Sequence, residues 1–87
     1  MTTPGSPSSA ERELVRKLFE AHGVQGQLHA ALPYSGDELV IVLSRQQTDE
    51  WGGNDEYAMT RQLMDLLHRK VWIVRFDPIW WRTTEPL

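Results

Sequence analysis

Apolar positions along the chain change period several times, and each change marks an element. In "SSAERELVRKLFEAHG", Leu14, Val15, Leu18 and Phe19 recur at helical spacing, with Ala10 in line one turn earlier. Arg12, Glu13, Arg16, Lys17 and Glu20 fill the other face. Ser8 and Glu11 have the spacing of a capping box, in which each side chain satisfies the other residue's free backbone N–H. Gly23 sits where a left-handed C-cap is wanted. The pattern predicts an amphipathic helix over 9–22.

Alternation follows. Leu28, Ala30 and Leu32 alternate with Gln27, His29 and Ala31, which predicts a strand over 25–32. "PYSGDE" carries turn chemistry in Pro33 and Gly36. "ELVIVLS", 38–44, is a continuous apolar run that suits a strand covered on both faces or lying centrally in a small sheet. "RQQTDEWGG" is polar and fits a loop or a short helical turn. "NDEYAMTRQLMDLLHRK" reads as a second helix capped by Asn54 or Asp55. Its expected buried stripe is Tyr57, Thr60, Leu63, Met64 and Leu67, with Leu66 at the edge. "VWIVRFD" is a third strand over 71–76, stopped by Asp77-Pro78 because proline has no N–H for a ladder. "IWWRTTEPL" is expected to be an irregular or extended tail.

These elements predict an α+β fold, a small two-layer sandwich of order α-β-β-α-β. The expected sheet has three strands, the first two forming an antiparallel hairpin, with two helices on one face. Residues 1–8, "MTTPGSPS", hold nothing to bury and read as a disordered tail, leaving 9–87 as one domain. With 87 residues the chain can organise only a small core.

Composition narrows the chemistry. There is no cysteine, so disulfides, thiolate zinc sites and cysteine nucleophiles are excluded. No apolar run approaches the roughly 18 residues of a spanning helix. The N-terminus has neither the basic start nor the apolar stretch of a signal peptide, and cytoplasmic residence is the expectation. The net charge of −3 is uneven. Residues 34–60 carry six acids (Asp37, Glu38, Asp49, Glu50, Asp55, Glu56) against Arg45, a net −5, and residues 61–87 carry a net +2. An acidic chain is poorly suited to sequence-independent binding of phosphate backbones.

The acidic middle contains "DEWGGNDE". A Gly-Gly pair before a helix is the setting for an anion cradle. Here Asp49, Glu50, Asp55 and Glu56 surround it, repel an anion and themselves complement the helix N-terminus. The stretch reads as an acidic helix entrance, without the pattern of a calcium loop. His22, His29 and His68 have no metal-ligand spacing, and two of them fall at helix C-termini. No serine has the context of a nucleophile elbow. The expectation is a non-enzyme, with no cofactor and no metal.

Two family resemblances follow from longer patterns. From 37 to 76 the chain has a strand, a helix–Gly–Gly–helix unit and the closing strand "LLHRKVWIV". In this it resembles a type II KH domain, whose GxxG loop grips a nucleic-acid backbone. The corresponding positions are Gly52, Gly53, Asn54 and Asp55, so the second glycine is displaced and the basic residues are missing. The resemblance implies a related shape without the RNA grip. "SGDELVIVL" followed by a helix and "LLHRKVWIV" also resembles the central region of small nucleotidyltransferase-like proteins. That family holds magnesium with aspartates at alternating strand positions. Asp37 and Glu38 are adjacent here, so a strand points them to opposite faces.

The four tryptophans are the most unusual feature. Trp72 fits the core of the third strand, and Trp51 fits a lid folded back from the polar loop. Trp80 and Trp81, adjacent and followed by Arg82, have the composition of an interface hot spot. The expected function is a small non-catalytic protein–protein interaction or adaptor module, with a protein partner or a second copy held through an exposed sheet face. Trp80, Trp81, Arg82 and Trp51 are its candidate contacts. The alternative is a nucleic-acid-binding domain on a KH-like frame, using Arg61, Arg69, Lys70 and Arg75. No membrane or small-molecule partner is indicated.

Overall fold

The computed structural model describes residues 6–34, 37–51, 56–75 and 83–87. Its elements are α1 (Ser9–Ala21), β1 (His29–Ala31), β2 (Glu38–Leu43), α2 (Arg45–Trp51), α3 (Glu56–Leu67), β3 (Lys70–Arg75) and β4 (Thr84–Pro86). Among the described residues the fold is a small α+β arrangement of three helices and a mixed four-stranded sheet of order β3-β2-β1-β4. β1 runs antiparallel to both β2 and β4, and β2 and β3 are parallel.

Helix α1 starts as its sequence directs. The Ser8 hydroxyl accepts from Glu11 N, and the Glu11 carboxylate accepts from Ser8 N. Val15 and Phe19 of α1 pack with Met59, Leu63 and Leu67 of α3 over Leu39, Ile41 and Leu43 of β2 and Val71 of β3. Both long helices thus share one core on one side of the sheet. β2 is central and covered on both sides, since Val42, pointing away from that core, is also fully buried.

Three expectations need correction. The sheet has four strands rather than three, because Thr84–Pro86, expected as tail, pairs with β1. A three-residue strand containing Glu85 and Pro86 has no apolar alternation to announce it. Backbone bonds to Thr83 O and Leu28 O and the burial of Leu87 place it. The polar stretch after β2 forms a third helix, α2, in which Gln47 is buried.

The third correction concerns the faces of α3 and β3. Tyr57 is 75% exposed, and Met59 takes the expected core place because Met59, Leu63 and Leu67 align at i, i+4. Trp72 likewise is 53% exposed, since the parity that buries Val71 turns it to the other face.

Candidate interaction surface

The two edges of the sheet are finished differently. Lys70 N donates to Asp37 O of the segment entering β2, at 2.8 Å. Backbone direction alternates along a strand, so Trp72 and Val74 also face β2. The N–H and C=O groups of Val71, Ile73 and Arg75 therefore point to the outer edge. Among the described residues no strand lies beyond β3.

At the other edge, Leu87 N donates to Leu28 O and Leu32 N to Thr83 O. These bonds turn Thr84 and Pro86 outward. Pro86 has no N–H to offer, and its carbonyl accepts from Arg12 Nη1 at 2.9 Å. A second arginine of α1, Arg16, reaches Leu87 O. The β4 edge is closed by proline and guanidinium, which are common devices against strand addition.

Tyr34 and Arg12 also meet on Glu85 of β4. The Tyr34 hydroxyl and Arg12 Nη2 both donate to Glu85 Oε1. The hydroxyl first, and Arg12 second, hold the Glu85 carboxyl below its ordinary value. Burial and the hydrogen bond to Glu85 push Tyr34 up to about 12. The chemistry of this cluster is structural, a clamp from α1 to the last strand.

Beside the open β3 edge lies a groove of about 740 Å³ between β3 and α3. Tyr57, Thr60 and Met64 form its helical wall, and Val71, Trp72 and Ile73 its strand wall, with Glu56 and Lys70 also lining it. Arg61 lies over the Tyr57 ring, 5.9 Å from its centroid, at the groove's border. A second cleft, of about 330 Å³, is lined by Arg45, Thr48, Asp49 and Arg75. Ile73 of the groove and Arg75 of the cleft are two residues apart on one strand face, about 7 Å.

The expected site residues fall in different places. Trp80, Trp81 and Arg82 lie outside the described residues, as do residues 52–55 of the acidic stretch. Trp51 packs on the core as a lid, edge-on to Phe19 with ring centroids 6.0 Å apart. Lys70 and Arg75 are exposed at the two ends of β3. Arg69 instead donates to Glu38 O at 2.6 Å, joining β3 to β2. Tyr57 and Trp72 become surface residues that the sequence pattern assigns to the core. Only the actual rotation of α3 and the parity of β3 distinguish those outcomes.

Among the described residues no group of three or more histidines or acids could hold a metal ion, and no helix is long and apolar enough to cross a membrane. No protein-family model, curated protein or solved structure matches the chain.

Proposed function

We propose that the chain is a small non-catalytic interaction module that docks a segment of a partner protein against the α3–β3 edge. One observation carries this: a strand edge that has no neighbouring strand among the described residues lies beside an apolar groove lined by two exposed aromatics, Tyr57 and Trp72, while the opposite edge is closed. Backbone groups of an edge strand supply affinity to an added strand, and flanking pockets supply specificity. Aromatic side chains supply large contact area at little entropic cost. A second copy is the weaker occupant, since β3 carries Lys70 and Arg75 and no acid to meet them. The absence of cysteine suits a reducing compartment, and cytoplasmic placement belongs to the same proposal.

The nucleic-acid alternative keeps one supporting observation. The succession β2, α2, Gly52-Gly53, α3, β3 is that of the KH-like pattern, Lys70 lines the groove and Arg61 lies over the ring of Tyr57. Against it, Arg69 is engaged with the β2 backbone and Glu56 opens α3.

Panning a displayed library of random peptides against the purified chain separates the two. Enrichment of peptides that a Tyr57→Ala/Trp72→Ala variant does not retain is the expected result. No enrichment would overturn the proposal, and a random single-stranded RNA bound with steep salt dependence would put the nucleic-acid reading in its place.

A further inference from the structure

The proposed docking surface also specifies what its partner must look like. We infer that the β3 edge takes an extended segment with two apolar residues and one acidic residue at alternate positions. The inference rests on the interaction function proposed above and goes beyond it by naming the ligand chemistry.

A strand added at the outer edge pairs with the outward backbone groups of Val71, Ile73 and Arg75. Residues directly opposite one another in a sheet project side chains to the same face. The three partner residues opposite these positions therefore project toward the α3 side, at i, i+2 and i+4. Two of them lie over Val71 and Ile73, in the groove walled by Met64 and Tyr57. The third reaches the cleft where Arg75 of β3 and Arg45 of α2 converge, with Asp49 the one acid among its described lining residues. Two guanidinium groups lining one small cleft match a carboxylate, which they can hold by paired N–H donors.

The segment sought is apolar-x-apolar-x-acidic if it runs parallel to β3, and the reverse if antiparallel. Lys70, which lines the groove together with Glu56, adds a third cation to this surface. A second copy does not meet the requirement. Its own β3 presents Val71, Ile73 and Arg75 at these positions, and antiparallel pairing about Ile73, which a two-fold axis requires, sets Val71 and not an acid against Arg75.

The test uses the peptides enriched by panning the whole chain. One synthetic representative is titrated by fluorescence anisotropy against wild type and against Arg75→Glu. The expected result is enrichment of the apolar-x-apolar-x-acidic spacing, in either direction. Binding should weaken roughly tenfold with Arg75→Glu and return when the peptide's acid is replaced by lysine. That charge-swap rescue separates recognition from damage to the fold. Enriched peptides without the acid, or peptides indifferent to Arg75→Glu, overturn this inference and leave the interaction function standing. Failure to enrich any peptide overturns both. Loss of peptide binding to a competing single-stranded RNA at the same arginine overturns it in favour of a nucleic-acid ligand.

Discussion

Arg12 of α1 and Glu85 of β4 are 73 residues apart in sequence, and their side chains meet at 3.0 Å. The contact fastens the last strand to the first helix, and Tyr34 completes it from the loop after β1. Arg12 serves the same junction three further times, through Pro86 O, Pro7 O and Ser6 Oγ. One arginine therefore closes the β4 edge and holds the residues before α1.

Glu85→Gln is predicted to cost about 1 kcal/mol in urea unfolding at neutral pH. The cost is small because the pair is partly exposed, 24% for Arg12 and 36% for Glu85, and solvent screens it. The pH dependence follows from the directions of the shifts. Glu85 titrates lower when folded, so its contribution is complete above about 4.5 and fades as pH falls through the depressed value. Tyr34 titrates higher when folded, so its contribution is complete below 10 and fades as pH rises toward about 12. Glu85→Gln should flatten the acid limb of the stability curve, and Tyr34→Phe the alkaline limb. An unchanged acid limb in Glu85→Gln would remove the clamp from the account.

Gln47 is predicted to be the most sensitive polar residue. It is 4% exposed, and both its amide oxygen and its amide nitrogen are engaged. Its Oε1 accepts from Ser44 N at 2.9 Å, and its Nε2 donates to Gln25 O and Gln27 O at 3.0 and 3.1 Å. It thereby caps α2 and fixes the segment leading into β1. Gln47→Leu should cost about 2–3 kcal/mol, because buried backbone groups lose their partners. Gln47→Glu should cost more, since a carboxylate oxygen would face two carbonyls. Equal midpoints of denaturation for the two variants would contradict this.

His68 and Gly23 both have positive φ, at 55° and 84°. They follow α3 and α1 in positions where glycine is the favoured residue. His68→Gly is predicted to raise stability by about 0.5–1 kcal/mol, by relieving a left-handed non-glycine residue. Gly23→Ala should lower it by a similar amount, although open space surrounds Gly23. Thermal unfolding of the two variants side by side measures both signs.

Phe19→Ala should cost about 3–5 kcal/mol, since the ring is fully buried beneath Trp51. Leu14→Ala, on the flank of the same helix and 39% exposed, should cost less than about 1 kcal/mol. Comparable losses at both positions would place the buried face of α1 elsewhere.

How much of this was legible in the sequence differs by element. The Ser8–Glu11 box and the Val15–Phe19 stripe announced α1 because capping and apolar spacing are local signals. "ELVIVLS" announced a covered central strand for the same reason. β4 left no local trace, because it is held by the backbone of β1 and by Arg12 of α1. The surface beside β3 was half legible. Lys70 and Arg75 stood out by charge, and an exposed sheet face was already a candidate. Tyr57 and Trp72 were hidden, because an exposed aromatic and a buried one look alike in a short apolar run.

Site-resolved amide hydrogen exchange of the chain, alone and with an enriched peptide, tests the central claim most directly. Among the described residues the β3 edge has no neighbouring strand, so Ile73 and Arg75 should exchange quickly while Trp72 and Val74, bonded to β2, exchange slowly. Saturation with the peptide should then protect Ile73 and Arg75. Protection of both amides in the free chain, or bound peptide that leaves them exchanging freely, would contradict docking at this edge.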